Sequence, residues 1–298
     1  AESDAITILI TAVPTLTVTS TALGNEICTG DAITFFANAS IAGATYDFMI
    51  NGVSYQNSTA QLFDPLGYGQ TIGNGDVIEV TASTGVASCS SAIASLTVVE
   101  NAITTVGIIT VATPTVCLND RIPAMTGGAG IVSGTVSYQW QRRNQTTTVF
   151  TDITGATSQN YTPTVATLLT TDTFFRRLTV SDTGTTTCSE PGNTISVLVD
   201  NPPPAILTAN VNGSVLTAAT TATICSGEEI AFYANAVAGG SYEFLVDGIV
   251  VRPRVDSNVY STTALLANDR VTVRVFDQNA VAAPEGCSAE SDAITILI

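Results

Sequence analysis

Short runs in which apolar and polar residues alternate recur along the whole chain. An Asp precedes such a run three times: Asp76 before Ile78 and Val80, Asp172 before Phe174, and Asp269 before Val271, Val273 and Val275. Because alternate side chains of a strand point to opposite faces, each run predicts a strand with one buried face. Tight hairpin turns are expected at Asn51-Gly52 and Asp247-Gly248. The pattern predicts an all-β, antiparallel β-sandwich fold.

The pattern repeats three times, in units of about 100 residues, a usual domain size. Each unit opens on a similar strand, at Ile27, Val116 and Ile224. A pair of aromatic residues on one strand face follows: Tyr46 with Phe48, Tyr138 with Trp140, and Tyr242 with Phe244. We expect these six aromatic side chains to lie in the sandwich cores. The predicted domains are residues 11–100, 101–199 and 200–298.

The first ten residues, 1–10, recur letter for letter as residues 289–298. Identity at a fixed spacing is typical of a tandem array, so we interpret residues 1–10 as the terminal strand of a preceding repeat. A fusion scar is the alternative. The successive prolines Pro202, Pro203 and Pro204 favour a semi-rigid spacer between two units. Three tandem sandwiches in an elongated rod are therefore expected.

Six cysteines are distributed as two in each unit: Cys28, Cys89, Cys117, Cys188, Cys225 and Cys287. Six cysteines allow fifteen connectivities. A repeated unit is expected to carry a repeated bond, which predicts Cys28–Cys89, Cys117–Cys188 and Cys225–Cys287. Such bonds imply an oxidising, exported setting. Buried free thiols are the alternative, whereas the absence of His and of close cysteine spacing argues against zinc.

Composition excludes several functional classes. Apolar residues make up 45% of the chain and charged residues 11%, with a net charge of −16. The acidic balance argues against nucleic acid and against direct contact with an anionic membrane. There is no His and no Lys, so the common general bases and amine nucleophiles are missing and no enzyme is expected. No cofactor is predicted; calcium stays an alternative, although isolated acids such as Asp31 more often cap turns.

Charge is also distributed unevenly among the units. Residues 11–100 and 200–298 each carry −7, whereas residues 101–199 are neutral because five Arg balance five acids. Four of these Arg form the adjacent pairs Arg142-Arg143 and Arg176-Arg177. Alternation from Trp140 and Phe174 predicts that Arg142 and Arg176 point toward the core side. Arg143 and Arg177 are then candidate contacts with acidic neighbouring filaments; stems packed on aromatic rings are the alternative.

The segment 136–199, with the motifs VSYQW, TFFRRLTV and NTISVLV, resembles the Ig-like repeats of giant Bacteroidetes surface proteins. The motifs YDFMING and YEFLVDG of the outer units are similar to repeats of the same proteins, the gliding-motility adhesins of the SprB type. The resemblance implies Ig-like domains in a filament on the bacterial cell surface, exported by the type IX route and used in adhesion or gliding. It supplies no catalytic residues. Unlike in antibody domains, the second cysteine directly precedes the last strand, so the bond is expected to close one end of each sandwich.

The leading functional hypothesis is therefore a structural stalk that gives reach and tensile strength. Its expected partners are neighbouring identical repeats, other filaments or a surface polysaccharide. One alternative is a carbohydrate-binding module that uses exposed aromatic residues, namely Tyr55, Tyr68, Tyr161 and Tyr260. Another is a short subunit that assembles by donating a terminal strand to the next molecule.

Overall fold

The computed structural model describes residues 13–83, 90–163, 168–211, 213–277 and 287–298. Within these ranges the chain forms 29 strands, two short 3-10 helices (Leu23–Asn25 and Pro65–Tyr68) and no α-helix. Neither helix has the length and apolar character needed to cross a membrane. The prediction for residues 1–10 and the position of Cys89 lie outside the described residues.

The strands fall into three consecutive groups. The first group comprises β1 Leu16–Ser20, β2 Glu26–Cys28, β3 Phe35–Ala39, β4 Thr45–Ile50, β5 Val53–Ser58, β6 Leu62–Phe63, β7 Val77–Ser83, β8 Ala94–Thr97 and β9 Val99–Asn101. The second comprises β10 Ile103–Thr105, β11 Ile109–Val111, β12 Thr115–Cys117, β13 Met125–Gly127, β14 Ile131–Val132, β15 Thr135–Asn144, β16 Thr151–Asp152, β17 Thr173–Asp182, β18 Thr187–Pro191 and β19 Ile195–Asp200. The third comprises β20 Leu207–Val211, β21 Ser214–Thr217, β22 Thr221–Thr223, β23 Ile230–Ala234, β24 Ser241–Val246, β25 Ile249–Val255, β26 Val259–Thr262, β27 Arg270–Phe276, β28 Ser288–Glu290 and β29 Ile294–Leu297.

Each group folds as a β-sandwich, most completely in the third. There one sheet has the order β21-β20-β23-β26, and the other has the order β22-β29-β27-β24-β25, with β28 also paired to β27. Apolar side chains of the two sheets face each other, as Phe232 of β23 and Phe244 of β24 do in one buried cluster. The described residues form three such clusters, one per group of strands. The fold is therefore all-β, with three tandem Ig-like sandwiches, as the sequence predicts.

The six predicted core aromatics are all buried. Three of them, Phe48, Trp140 and Phe244, are fully buried at equivalent places on β4, β15 and β24. The three tyrosines also share a hydrogen bond, because each hydroxyl accepts from a backbone N–H in the segment that precedes its own strand: Tyr46 from Ala39, Tyr138 from Gly130, and Tyr242 from Val237, at 3.3, 3.0 and 2.8 Å. The tyrosine therefore satisfies its buried hydroxyl while it ties its strand to the segment before it.

The predicted alternation of β17 is wrong by one residue. Trp140 of β15 is opposite Arg177, just as Phe48 is opposite Val80 and Phe244 is opposite Val273. The buried face of β17 therefore carries Phe175 and Arg177, whereas Phe174 and Arg176 are only partly buried and lie on the other face. The middle domain has one more residue between its leading Asp and this position than the outer domains. A shift of one residue exchanges the two faces of a strand.

A parallel strand pair in each domain determines at which end of the domain the first cysteine lies. In each domain an early strand pairs in parallel with the last strand: β2 with β9, β12 with β19, and β22 with β29. In this register Cys28 is opposite Asn101 and Cys117 is opposite Asp200. Because parallel strands end at the same side, the first cysteine of each of these domains lies where the chain leaves for the next domain.

The three domains bury little surface against one another. The accessible area is 16311 Å². Size scaling gives about 12,000 Å² for one compact globule of this mass, but about 16,000 Å² for three separate domains of a third of the mass. The contacts between domains are therefore confined to short joints, which are described next.

Candidate functional site: the joints between domains

Two disulfides connect consecutive domains. Cys28 of the first domain is bonded to Cys188 of the second, with Cα atoms 5.6 Å apart. Cys117 of the second domain is bonded to Cys287 of the third, with Cα atoms 5.4 Å apart. Both distances are usual for a disulfide. The predicted pairing of each cysteine with its neighbour in the same domain, Cys28–Cys89, Cys117–Cys188 and Cys225–Cys287, is therefore wrong.

Strand direction explains why the cysteines of one domain cannot pair. In the middle domain Cys117 lies beside Asp200 at the exit end, whereas Cys188 of β18 is opposite Ser181, near the far end of β17. β17 runs antiparallel to β19, so the far end of β17 is the entrance end of the domain. About ten rungs of sheet, roughly 30 Å, separate the two cysteines, whereas a disulfide requires Cα atoms within about 7 Å. Each first cysteine instead meets the second cysteine of the next domain.

The first joint is also held by hydrogen bonds around Asn101, whose side chain is buried. The Asn101 amide donates to the backbone carbonyl of Ser181 at 3.1 Å and to that of Thr186 at 2.8 Å. The Ser181 hydroxyl donates to the Asn101 side-chain oxygen, and the Thr186 hydroxyl donates to the Glu26 carbonyl at 3.3 Å. The β17–β18 hairpin of the second domain is thus fixed to the exit end of the first. A disulfide and a set of directional polar contacts together restrain the bend at this joint.

Each first cysteine opens a tight turn at the exit end of its domain. The backbone N–H three residues later donates to the cysteine carbonyl, in Asp31 to Cys28, Asp120 to Cys117, and Glu228 to Cys225, at 3.0, 2.9 and 3.0 Å. The third residue of the turn has positive φ, at Gly30, Asn119 and Gly227, with φ of 82°, 66° and 78°. Gly and Asn tolerate this conformation. In the second and third domains the acid also accepts the cysteine N–H, at 3.2 and 2.8 Å.

Arg177 lies in the core of the middle domain and cannot contact a neighbouring filament. Its side chain is fully buried, and its guanidinium is 4.1 Å from the Tyr138 ring. The two terminal nitrogens donate to the carbonyls of Gly128, Gln159 and Val106, at 2.6, 2.7 and 3.0 Å, while Nε has no partner in the described part of the chain. Burial lowers the pKa of this guanidinium from its ordinary value. The prediction of Arg177 as a contact residue is wrong, because the face on which it lies was misassigned.

Arg143 lies on the surface of the same domain, next to two phenylalanines. Its guanidinium is 4.0 Å from the Phe174 ring and 5.3 Å from the Phe150 ring, and it donates to the Thr147 carbonyl at 2.9 Å. The guanidinium of Arg176 also lies near the Phe150 ring, 4.3 Å from its centroid. These arginines therefore cover surface aromatic rings with their guanidinium groups. A contact between Arg143 and another filament stays a prediction.

Two of the four tyrosines considered for carbohydrate binding pack against core aromatics. The ring centroid of Tyr161 is 5.7 Å from that of Trp140, and the Tyr260 centroid is 5.5 Å from that of Phe244. Tyr68 is 45% exposed, but its ring packs at a tilt against Phe63 and its hydroxyl donates to the Gln56 side-chain oxygen. Among the residues that can be described, these four tyrosines form no common exposed platform, because they lie in three different domains.

The sequence contains part of the information that defines the joints. It shows an acidic residue three positions after each first cysteine and a second cysteine shortly before the last strand. It does not show the parallel strand pair that places the two cysteines of a domain at opposite ends. Metal ligands are not grouped in the described ranges, where no set of three His, Cys, Asp or Glu side chains converges. The described chemistry at the joints is thus disulfide and hydrogen-bond chemistry.

Strand order, paired sheets and end-to-end covalent joints define a tandem array of Ig-like β-sandwich domains. The middle of the chain, residues 105–201, matches a family model described as a domain of unknown function, DUF8696. No characterised protein has a sequence with significant similarity to the chain.

Several solved multidomain structures are similar in fold. The I-band fragment I67–I69 of titin shares 9% identity over 97% of this chain and 99% of that fragment, with a TM-score of 0.35. The three N-terminal domains of the bacteriophage RB49 outer capsid protein Hoc share 11% identity over 96% and 99%, with a TM-score of 0.31. The fibronectin(III)-like modules of Clostridium thermocellum CbhA share 17% identity over 64% and 94%, with a TM-score of 0.30.

Proposed function

We propose that this chain forms stalk repeats of an extracellular fibre on a bacterial cell surface. Disulfides between consecutive domains limit the extension of this stalk under load. The observation that carries the proposal is the staggered pair of bonds, Cys28–Cys188 and Cys117–Cys287. A bond within a domain would protect that domain alone. A bond between domains also keeps neighbours attached when the linker or a sandwich yields.

The bonds determine how far an unfolded chain can be pulled. The shortest covalent path runs along residues 1–28, crosses to 188, returns to 117, crosses to 287 and continues to 298. It contains about 110 residues, or about 400 Å at 3.6 Å per residue, against about 1,100 Å for the reduced chain. Disulfides persist in exported proteins, which supports an extracellular location. The resemblance to surface adhesins supports a role in adhesion or gliding.

Single-molecule stretching tests the proposal. When the chain is pulled at its two ends, the fully extended length should be about 400 Å for the oxidised chain and about 1,100 Å for the reduced chain. Removal of one bond by Cys188→Ser leaves a path through residues 1–117 and 287–298, about 460 Å long. Bonds within domains would instead give about 630 Å for this variant. Cys225→Ser is the matched control and should not change the length, since Cys225 has no partner among the described residues.

Two outcomes would contradict the stalk. One is an extension of the Cys188→Ser variant near 630 Å, which would show that the bonds lie within domains. The other is that the domains of the native oxidised chain unfold at forces no higher than the unfolding forces of the reduced chain. Proteolytic mapping without reductant gives an independent readout, because the peptides that contain Cys28 and Cys188 should be recovered as one mass.

A further inference from the structure

Two grooves meet at Arg142 on one edge of the middle domain. The first has a volume of about 750 Å³ and lies beside the loop between β15 and β16. The second has a volume of about 690 Å³ and lies beside the segment that follows β16. Arg142 and Thr151 line both grooves. Each volume is in the range of small-molecule sites, so the two grooves offer a linear ligand adjacent places with Arg142 between them.

The first groove is lined mainly by polar groups. Besides Arg142 and Arg143, its described wall contains hydroxyl and amide side chains, among them Asn144, Thr146, Thr148 and Thr171. No Asp or Glu is among the described residues that line this groove, although the chain has 25 acidic residues. The middle domain is also neutral, whereas residues 11–100 and 200–298 each carry −7. An anion therefore meets less electrostatic repulsion here than at the outer domains.

The two arginines at the grooves are prepared for an anion in different ways. The Arg142 side chain is exposed, and its guanidinium forms no hydrogen bond or ion pair within the described part of the chain. The Arg143 guanidinium lies 4.0 Å from the Phe174 ring and donates from Nη1 to the Thr147 carbonyl at 2.9 Å. Arg142 thus keeps all its donors for a ligand, and the side chain of Arg143 is already ordered before a ligand binds.

We propose that the two grooves bind an anionic oligosaccharide, with a carboxylate or sulfate group of the sugar bound by Arg142. A planar guanidinium donates two parallel hydrogen bonds to such an anion, and the threonine hydroxyls of the first groove match the hydroxyls of a sugar. An acidic peptide would instead pair with a free strand edge, but the edge strand here, β16, comprises only Thr151–Asp152. The inference goes beyond the stalk function, and neither depends on the other.

Calorimetric titration of the whole oxidised chain tests the proposal. The probes are a galacturonate hexasaccharide, a sulfated galactose hexasaccharide, the unmodified galactose hexasaccharide and a hexaglutamate peptide. At least one anionic sugar should bind at least about tenfold more tightly than the neutral sugar, because a hydrogen bond to a charged group contributes about 1.5–3 kcal/mol. The galacturonate and the sulfated sugar distinguish a carboxylate from a sulfate as the group that is bound.

Arg142→Gln is the test variant, and Arg121→Gln is its matched control. Arg121 is exposed in the same domain and lines neither groove, so both variants remove one positive charge from this domain. Arg142→Gln should weaken binding of the anionic sugar at least about tenfold, and Arg121→Gln less than about threefold. Arg142→Lys should give an intermediate loss, because it keeps the charge without the planar fork of donors. Trp140 fluorescence during urea unfolding checks that each variant is folded.

Four results would overturn the proposal. They are equal affinity for neutral and anionic sugars, tighter binding of hexaglutamate than of either anionic sugar, equal losses from Arg142→Gln and Arg121→Gln, and no binding of either anionic sugar at millimolar concentration. In each case the stretching length of the single chain still tests the stalk separately.

Discussion

Replacing Arg177 by methionine would remove the only buried guanidinium in the described part of the chain while it keeps a long side chain in the core. Its counterparts in the outer domains, Val80 and Val273, are apolar and fully buried. The hydrogen-bond partners of its guanidinium among the described residues are backbone carbonyls and not carboxylates. The backbone carbonyls around Arg177, together with the Tyr138 ring, therefore compensate for its burial.

The cost of the substitution can be estimated from the carbonyls that lose a donor. The carbonyl of Val106 keeps the Thr179 hydroxyl at 2.6 Å as a partner. The carbonyls of Gly128 and Gln159 lose the Arg177 donors at 2.6 and 2.7 Å. A hydrogen bond from a charged donor contributes about 1.5–3 kcal/mol, so Arg177→Met should lower the free energy of unfolding of the middle domain by about 3 kcal/mol, with the removed charge burial offsetting part of the loss.

The assay follows from the composition, because Trp140 is the chain's one tryptophan and is fully buried in the same domain. Its fluorescence during urea unfolding reports the middle domain selectively. With a slope of about 2 kcal/mol per molar for a domain of this size, the midpoint should fall by about 1.5 M. Arg177→Lys should give an intermediate loss, because one ammonium group cannot reproduce the planar fork of donors.

Arg176→Met is the matched control on the opposite face of β17. It removes one hydrogen bond to Gln141, 2.7 Å long, and the contact with the Phe150 ring at a partly exposed site. The expected loss is below about 1 kcal/mol. If Arg177→Met lowers the Trp140 transition no more than Arg176→Met does, the inference that the buried guanidinium supports these carbonyls is refuted.

Two further predictions concern one sheet and the first joint. Tyr242→Phe should destabilise the third domain by about 1 kcal/mol, because the Val237 N–H loses its acceptor, and hydrogen exchange of that segment should speed up accordingly. Asn101→Ala should accelerate hydrogen exchange in the hairpin that joins β17 to β18 while the disulfide stays intact; unchanged exchange would mean that the disulfide alone holds the joint.

Much of the fold follows from the sequence because its signals are local. Alternating runs identify strands such as β7 and β27, and the spacing of Tyr46 and Phe48 identifies two neighbours on one buried face. These features depend only on the period of a strand and on the size of aromatic side chains. Three repetitions of the same pattern then indicate three sandwiches without any knowledge of how the strands pair.

The face of β17 on which Arg177 lies could not be predicted in the same way. Counting four residues from the leading Asp gives Val80 and Val273 in the outer domains and Arg176 in the middle domain. The additional residue before β17 shifts the strand by one, and hydrophobicity does not reveal the shift, because both Phe174 and Phe175 are apolar. The backbone carbonyls of Gly128 and Gln159, which accept hydrogen bonds from the buried guanidinium, cannot be identified from a sequence. Only pairing with Trp140 fixes the register.

The predicted cysteine pairing is wrong for a related reason. Strand direction, and not proximity in the sequence, decides which cysteines meet. The first cysteine is at the exit end because β12 runs parallel to β19, and the second is at the entrance end because β17 runs antiparallel to β19. In any sandwich with this topology the two cysteines of one domain are separated by about the length of a strand. They can form disulfides only across joints, as Cys28–Cys188 and Cys117–Cys287 do.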